Sequence, residues 1–235
     1  MAKEDFLISL RTAMGTVLPR ADANHPYTDQ AKLAEIFRRS TSDLWLSKSA
    51  VAGFELDDFK DLDPGTRDTL DRDVAAFLDV ATKVNPRGPA TTEQIEAALP
   101  PFLEITSIVR EHALADWIEA ARTLTDQADK WAKVEGWPTK RYPWTLTERF
   151  LGTYELDRLI YSVMGSQLAL IPVGRYTTRS RGSFDLAVMP AYESVTVSLG
   201  SNGKWLIGSL PGESNSFRWK QEFFVEASEK LAKMG

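Results

Sequence analysis

The chain has 235 residues, a formal net charge of −5 and 43% hydrophobic residues. This length suits one large domain or two small ones, and the apolar content is sufficient for a packed core. The sequence contains no cysteine, which excludes thiol nucleophiles, disulfides, iron–sulfur clusters and thiolate zinc sites. Because it contains only two histidines, a serine–histidine triad also lacks support.

Neither a membrane span nor a signal peptide is expected. No run of the sequence approaches the roughly 20 apolar residues that cross a bilayer. The N-terminal segment is interrupted by charges at Lys3, Glu4, Asp5 and Arg11, whereas a signal peptide needs a continuous apolar stretch. The sequence therefore predicts a cytoplasmic protein that does not contact membranes.

Charge is unevenly distributed along the chain. Residues 1–136 contain 16 Lys and Arg against 24 Asp and Glu, whereas residues 137–235 contain 12 against 9. Either the basic part meets an external anion, or the acidic and basic parts dock on each other. Docking is the favoured interpretation, since it needs no ligand.

The first part of the chain is predicted to be helical. Apolar residues at helical spacing indicate helices over residues 3–18 and 28–39. A further helix begins at Asp63, which precedes a proline at the first helical position. A short helix then begins at a capping box formed by Thr91 and Gln94.

The longest predicted helix extends from residue 101 to residue 136, over which nothing interrupts the helical pattern. Its apolar residues recur at alternating spacings of three and four, which is typical of a helix that packs along a partner helix. This apolar seam consists of Leu114, Trp117, Ala121, Leu124, Ala128 and Trp131. The glycine and proline at Gly136 and Pro138 end the helix.

The C-terminal part is predicted to contain a sheet between two helices. A capping box that starts at Thr145 indicates a helix up to residue 164. Residues 168–173 are apolar on both faces, which favours a central strand, and residues 193–199 alternate as in a strand with one solvent-exposed face. A final helix over residues 217–234 covers one side of the sheet.

The predicted fold class is therefore α+β, with a mainly helical N-terminal part followed by a small antiparallel β-meander packed against flanking helices. We assign residues 1–136 to the helical part and residues 137–235 to the α+β part. No flexible linker separates them, so the two parts can also form one integrated domain.

An arginine cluster in the predicted sheet is the candidate anion-binding site. Arg175, Arg179 and Arg181 lie close together in the sequence, with Tyr176 beside them. Guanidinium groups, helped by hydroxyls and backbone N–H groups, can hold a phosphate or a carboxylate. The more common alternative is a hairpin tip that carries ordinary surface arginines.

The sequence favours a non-catalytic binding or interaction module that holds a protein partner or a small anion. Nucleic acid is a disfavoured partner, because the chain is acidic and three arginines make a small electrostatic footprint. No cofactor or metal site is predicted, since the acidic run over residues 55–63 lacks the spacing of a calcium loop and no phosphate-binding glycine loop occurs. The sequence does not indicate an oligomeric state.

The alternative is a metal-dependent hydrolase that acts through carboxylates at the junction of the two parts. An enzyme of this kind should bring at least two of five side chains around one concave pocket, whereas a binding module should leave them scattered. The five side chains are His112, Glu155, Asp157, Asp185 and Glu193.

Overall fold

The structure, a computed structural model, contains three helices and a seven-stranded antiparallel sheet within the residues that it describes. These residues are 62–81, 83, 91–148, 151–175, 180–191, 193–200, 202–209 and 216–234. The predicted α+β fold class is confirmed. The predicted helices over residues 3–18 and 28–39 lie outside the described residues, so a mainly helical N-terminal part stays a prediction.

The structure describes three helices, of which the first two begin with the capping residues that the sequence indicated. They are α1 (Pro64–Ala81), α2 (Thr92–Val134) and α3 (Gln221–Ala232). At α1, the Asp63 carboxylate accepts hydrogen bonds from the backbone N–H groups of Gly65 and Thr66, both at 3.1 Å. At α2, Thr91 N–H donates to the Gln94 side chain at 2.9 Å, and Gln94 N–H donates to the Thr91 hydroxyl at 3.3 Å.

Helix α2 is longer than the sequence suggested. It continues through Pro100 and Pro101, so the short helix and the long helix predicted on either side of these prolines are one. Despite this length, no helix in the described part of the chain is apolar enough to cross a membrane.

The strands follow one another across the sheet in chain order, and each is antiparallel to its neighbours. They are β1 (Thr139–Glu148), β2 (Gly152–Val163), β3 (Ser166–Gly174), β4 (Ser183–Met189), β5 (Ser194–Leu199), β6 (Trp205–Ile207) and β7 (Phe217–Arg218). The predicted antiparallel meander is confirmed. The strand predicted over residues 168–173 lies in β3, which pairs with a neighbour on both sides.

The predicted helix over residues 145–164 is wrong. This segment forms most of an antiparallel hairpin made by β1 and β2. The apparent capping box was misleading because the Glu148 side chain accepts a hydrogen bond from the backbone N–H of Arg175. Residues that favour strands are also frequent in the segment. They are Thr145, Thr147, Thr153, Tyr154, Ile160, Tyr161 and Val163.

The β1–β2 hairpin changes its buried face halfway along. Tyr154 and Leu156 are buried in the first half of β2, whereas Leu159, Tyr161 and Val163 are buried in the second half. This change from even to odd positions occurs without a register shift against β1, so it reflects the strong twist of a two-stranded ribbon. Only the second half of β2 also pairs with β3. The hairpin therefore has a tip that extends beyond its pairing with β3.

The C-terminal half of α2 packs on one face of the sheet. Trp117 is fully buried, with its ring centroid 5.9 Å from that of Phe184 and 6.1 Å from that of Trp205. At the far end of the seam, the Trp131 ring lies 5.9 Å from the Phe224 ring of α3. Among the described residues of the second unit, the seam meets a helix at this end, and a sheet face buries the rest of the same apolar stripe.

Helix α3 covers the same face of the sheet. Phe224 and Leu231 are fully buried, and the Tyr161 hydroxyl of β2 lies 2.7 Å from the Ser228 hydroxyl of α3. The helix was predicted to begin at residue 217, but Phe217 and its neighbour instead pair with β6 as the last strand.

The chain divides into two compact units, Met1–Leu114 and Ala115–Gly235. The division falls within α2, so the first unit contains α1 and the beginning of α2, and the second contains the sheet and α3. The predicted organisation into residues 1–136 and 137–235 stays a prediction.

Candidate functional site

The predicted arginine site is only partly described. The Arg175 side chain is 2% exposed, and its guanidinium donates a hydrogen bond to the backbone carbonyl of Arg181. Arg181 itself is half-buried. Tyr176 and Arg179 lie outside the described residues. Arg175 therefore has a structural role inside the protein, and the anion site at this loop stays a prediction.

A buried hydrogen-bonded chain ties the hairpin tip to the beginning of this loop. The Glu148 carboxylate accepts hydrogen bonds from the backbone N–H of Arg175, at 3.0 Å, and from the Tyr154 hydroxyl. The Tyr154 hydroxyl in turn accepts a hydrogen bond from the indole N–H of Trp117 at 2.9 Å. Burial, together with the hydrogen bond to Glu148, raises the pKa of Tyr154, so this hydroxyl stays protonated as a donor.

Near α2, Arg141 of β1 is surrounded by carboxylates. Its guanidinium lies 2.6 Å from Asp126 and 2.8 Å from Asp129, both on α2, and 3.8 Å from Asp157 on β2. Lys133 approaches Asp129 at 3.0 Å. The carboxylates here are thus neutralised by cations of the protein itself, as in a structural ion-pair network.

Asp129 is the most buried carboxylate of this network, with 8% of the residue exposed. Burial raises its pKa, but hydrogen bonds from Thr139, Lys133 and Arg141 outweigh burial, and the pKa lies below its usual value. The folded state therefore favours the ionised carboxylate.

Asp129→Asn is expected to remove part of the acid sensitivity of the fold. A carboxyl group whose pKa is lowered by folding stabilises the folded state fully at pH values above its pKa in the unfolded chain, about 3.9. This stabilisation is lost as the pH falls through its pKa in the folded protein. Urea denaturation at pH values from 7 to 3 measures the difference in the free energy of unfolding between wild type and variant. This difference should narrow below about pH 5. Above that pH the difference should stay constant. A difference that also stays constant down to pH 3 would contradict a lowered pKa of Asp129 in the folded protein.

A cavity of about 140 Å³ lies beside this network, between α2 and β2. Arg122, Thr125, Arg141, Glu155 and Asp157 contribute its polar lining. Two of the five side chains that would mark a hydrolase, Glu155 and Asp157, thus share one pocket. The cavity is small compared with the roughly 300–1,000 Å³ of typical ligand sites.

The other three side chains of that set lie elsewhere. Asp185 is half-buried on β4, where burial raises its pKa and Thr196 donates a hydrogen bond to it at 3.3 Å. Glu193 is exposed ahead of β5. His112 lines a separate cavity within the first unit. Among the described residues, no three or more His, Asp and Glu side chains are grouped so as to hold a metal ion.

The face of the hairpin opposite Arg141 carries a row of cations and aromatic rings. Lys140, Tyr142 and Trp144 of β1 lie on one face with Arg158 of β2, since Tyr142 pairs directly with Arg158. The Lys140 ammonium lies 4.8 Å from the Tyr142 ring centroid. The Arg158 guanidinium lies 5.5 Å from that centroid and 5.0 Å from the Trp144 centroid. We call these four residues the cation–aromatic ladder.

The two cations of the ladder have no acidic partner in the described part of the chain. Two carboxylates of the same hairpin, Glu155 and Asp157, pair with Thr145 and Pro143 and so lie on the opposite face. The third, Glu148, lies at the end of β1 and accepts hydrogen bonds from Tyr154 and from the backbone N–H of Arg175. Arg158 also has a buried Nε atom without a hydrogen-bond partner. Stacking on aromatic rings holds its guanidinium in place, and its terminal N–H groups have no hydrogen-bond partner among the described residues.

The ladder was missed in the sequence because the segment after Thr145 was assigned to a helix. That assignment placed Arg158 in a helix and left Lys140, Tyr142 and Trp144 before it, so no pairing brought the four residues together. Lys140, Tyr142 and Trp144 do occupy alternate positions in the sequence. This spacing becomes meaningful only when the segment is assigned as a strand, in which every second residue shares a face.

Comparison with protein-family models, with curated proteins and with solved structures finds no match to this chain. The functional interpretation therefore rests on the geometry of the second unit alone.

Proposed function

We propose that this protein is a non-catalytic cytoplasmic binding module that uses the cation–aromatic ladder to hold an anionic group of a partner. The observation that supports it is that Lys140 and Arg158 rest on aromatic rings and lack an acidic partner among the described residues. Arg141 and Lys133 of the same unit, by contrast, are ion-paired.

The chemistry of a stacked guanidinium supports the same proposal. An arginine whose plane is fixed by an aromatic ring loses little conformational freedom when it binds, and it presents its N–H groups in a fork that matches a carboxylate or a phosphate. The second cation, Lys140, adds positive charge on the same face of the hairpin.

We also propose a mainly helical N-terminal part, as its apolar periodicity indicates.

The arginine loop is retained as a second proposed contact for the anion. Its members Arg175, Tyr176, Arg179 and Arg181 follow β3, whose end is held by the Glu148 side chain. Arg175 is a positioning residue in this proposal, because it is buried and bonded to the carbonyl of Arg181. Contact with the ligand is assigned to Tyr176, Arg179 and the half-buried Arg181.

Binding of fluorescein-labelled hexaglutamate, followed by fluorescence anisotropy at about 20 mM salt, tests the ladder. Wild-type protein is expected to bind hexaglutamate and not hexalysine. Arg158→Gln should weaken binding about tenfold, which corresponds to about 1.4 kcal/mol, because a charge-assisted hydrogen bond is lost. Arg218→Gln is the matched control, since Arg218 is an exposed arginine at the opposite edge of the sheet.

Two results would contradict the proposal. Equal weakening by Arg158→Gln and Arg218→Gln would show that the peptide responds to the loss of any positive charge and not to the ladder. Failure of the wild-type protein to bind hexaglutamate any better than hexalysine would remove the ladder as an anion site. Circular dichroism of each variant checks that the fold is retained.

The second candidate function is the metal-dependent hydrolase, which is supported by the presence of Glu155 and Asp157 around one cavity. Arg141 lies 3.8 Å from Asp157 in that cavity, and a resident cation of this kind opposes the binding of a divalent metal ion. We therefore favour the binding module. Calorimetric heat on addition of Mg²⁺ that disappears in Asp157→Asn would reverse this preference.

A further inference from the structure

We infer that the partner held by the ladder is an extended acidic peptide segment that carries two carboxylates two residues apart. This inference rests on the proposed function and specifies its ligand. It follows from the positions of the two cations, from the orientation of the rings between them and from the distribution of charge on the hairpin.

The spacing of the cations matches the spacing of alternate residues in an extended chain. Lys140 pairs with Ile160, and Arg158 pairs with Tyr142, so the two cations are diagonal neighbours whose Cα atoms are separated by about 7–8 Å. Both cationic groups lie over the Tyr142 ring, so they are at most about 10 Å apart. Residues i and i+2 of an extended peptide lie about 6.7 Å apart and point to the same side.

Other spacings of two carboxylates fit less well. In an extended peptide, residues i and i+1 point to opposite sides, and so do residues i and i+3. Either arrangement directs only one carboxylate at the ladder while the other faces solvent. The second ion pair is then lost, unless the peptide leaves its extended conformation. That change would cost further free energy, because it restricts the conformation of the peptide.

The rings of the ladder disfavour single-stranded nucleic acid as the ligand. Base stacking on a sheet needs aromatic faces that a base can cover. Here the Tyr142 ring is already occupied by Lys140 and Arg158, and the Trp144 ring is occupied by Arg158. A base would have to displace these cations, whereas a carboxylate binds to them where they are.

The charges around the ladder also favour an acidic peptide. The hairpin carboxylates Glu155 and Asp157 lie on the other face, so they do not repel an acidic ligand directly. Pro143 lies in the middle of β1, which is an edge strand, and it has no backbone N–H with which to bind an added strand. The peptide is therefore expected to lie across the face of the hairpin and to bind through its side chains.

Three labelled heptapeptides of equal composition test the inference by fluorescence anisotropy. Each contains two aspartates among serines and glycines, placed at i and i+1, at i and i+2, or at i and i+3. The i, i+2 peptide is expected to bind at least fivefold more tightly than the other two. In Lys140→Gln this preference should fall to less than twofold, because only one cation remains, whereas Arg218→Gln should retain it.

The outcomes separate the inference from the proposed function. If the three peptides bind equally while hexaglutamate binding still depends on Arg158, the spacing rule is wrong and the anion-binding proposal stands. If neither the heptapeptides nor hexaglutamate bind, both are wrong. Tighter binding of an oligothymidylate than of the i, i+2 peptide, lost in Trp144→Ala, would overturn the peptide assignment in favour of nucleic acid.

Discussion

Trp117→Ala is expected to lower the free energy of unfolding by about 3–5 kcal/mol, the range found when a large buried aromatic side chain is removed. Trp117 is fully buried and contacts the rings of both Phe184 and Trp205. Its indole N–H also donates to the Tyr154 hydroxyl. The substitution therefore leaves a cavity between α2 and the sheet and removes a hydrogen bond inside it.

The site cannot easily contract around the missing ring. A Cβ atom built at Gly182 would lie only 2.3 Å from the Trp117 ring, which shows that the backbone of the sheet is in direct contact with it. Backbone held by strand pairing relaxes less than a flexible side chain, so most of the cavity should remain. The loss is therefore expected in the upper part of the range.

Trp144→Ala is the matched control for this prediction. Trp144 is a tryptophan of the same unit, but it is only half-buried. Its removal should cost clearly less than that of Trp117, because part of its ring is already in contact with water. Urea denaturation followed by circular dichroism measures both variants. Equal destabilisation by the two substitutions would contradict the assignment of Trp117 to the centre of the core.

Elements with strong local signals were predictable from the sequence. The starts of α1 and α2 depend on capping side chains within three residues of the backbone groups they bind, such as Asp63 and Thr91. The meander was predictable because its later strands alternate between apolar and polar residues. In each case the decisive interaction is local, so a short window of sequence contains it.

The β1–β2 hairpin was not predictable by the same reasoning. The buried positions of β2 change from even to odd along the strand, which destroys the simple alternation that identifies a strand. Glu148 resembled a helix cap because its true partner, the backbone N–H of Arg175, lies 27 residues away. A long-range contact of this kind leaves no local pattern, and tertiary structure then overrides local preference.

The same difference between local and long-range signals decided which candidate site the sequence revealed. The arginine cluster was found because its members are close in sequence, yet Arg175 is buried by contacts that the sequence does not reveal. The ladder was not found, because its residues come from two strands and converge only through the pairing of Tyr142 with Arg158. Proximity in the sequence therefore identified a cluster of charged residues. Strand pairing determines which charged side chains a ligand can reach.

Glu148→Ala is expected to lower the free energy of unfolding by about 2–3 kcal/mol. The Glu148 carboxylate accepts hydrogen bonds from the Arg175 backbone N–H and from the Tyr154 hydroxyl. Removal of the acceptor leaves these two donors in a partly or fully buried environment, and each unsatisfied donor carries a desolvation cost. Glu148→Gln keeps a side-chain oxygen as acceptor and should lose less than half as much.

A double-mutant cycle with Tyr154→Phe shows whether the hydrogen bonds act as one unit. Tyr154→Phe alone removes the hydroxyl that links Glu148 to Trp117, so part of what Glu148→Ala costs is already lost in that background. The combined loss should therefore be smaller than the sum of the two single losses by about 1 kcal/mol.

Glu155→Ala is the control, since Glu155 is exposed on the same hairpin and should change stability by less than about 0.5 kcal/mol. Strictly additive losses would mean that Glu148 and Tyr154 act independently, and the tip of the hairpin would then not be held by a connected chain of hydrogen bonds.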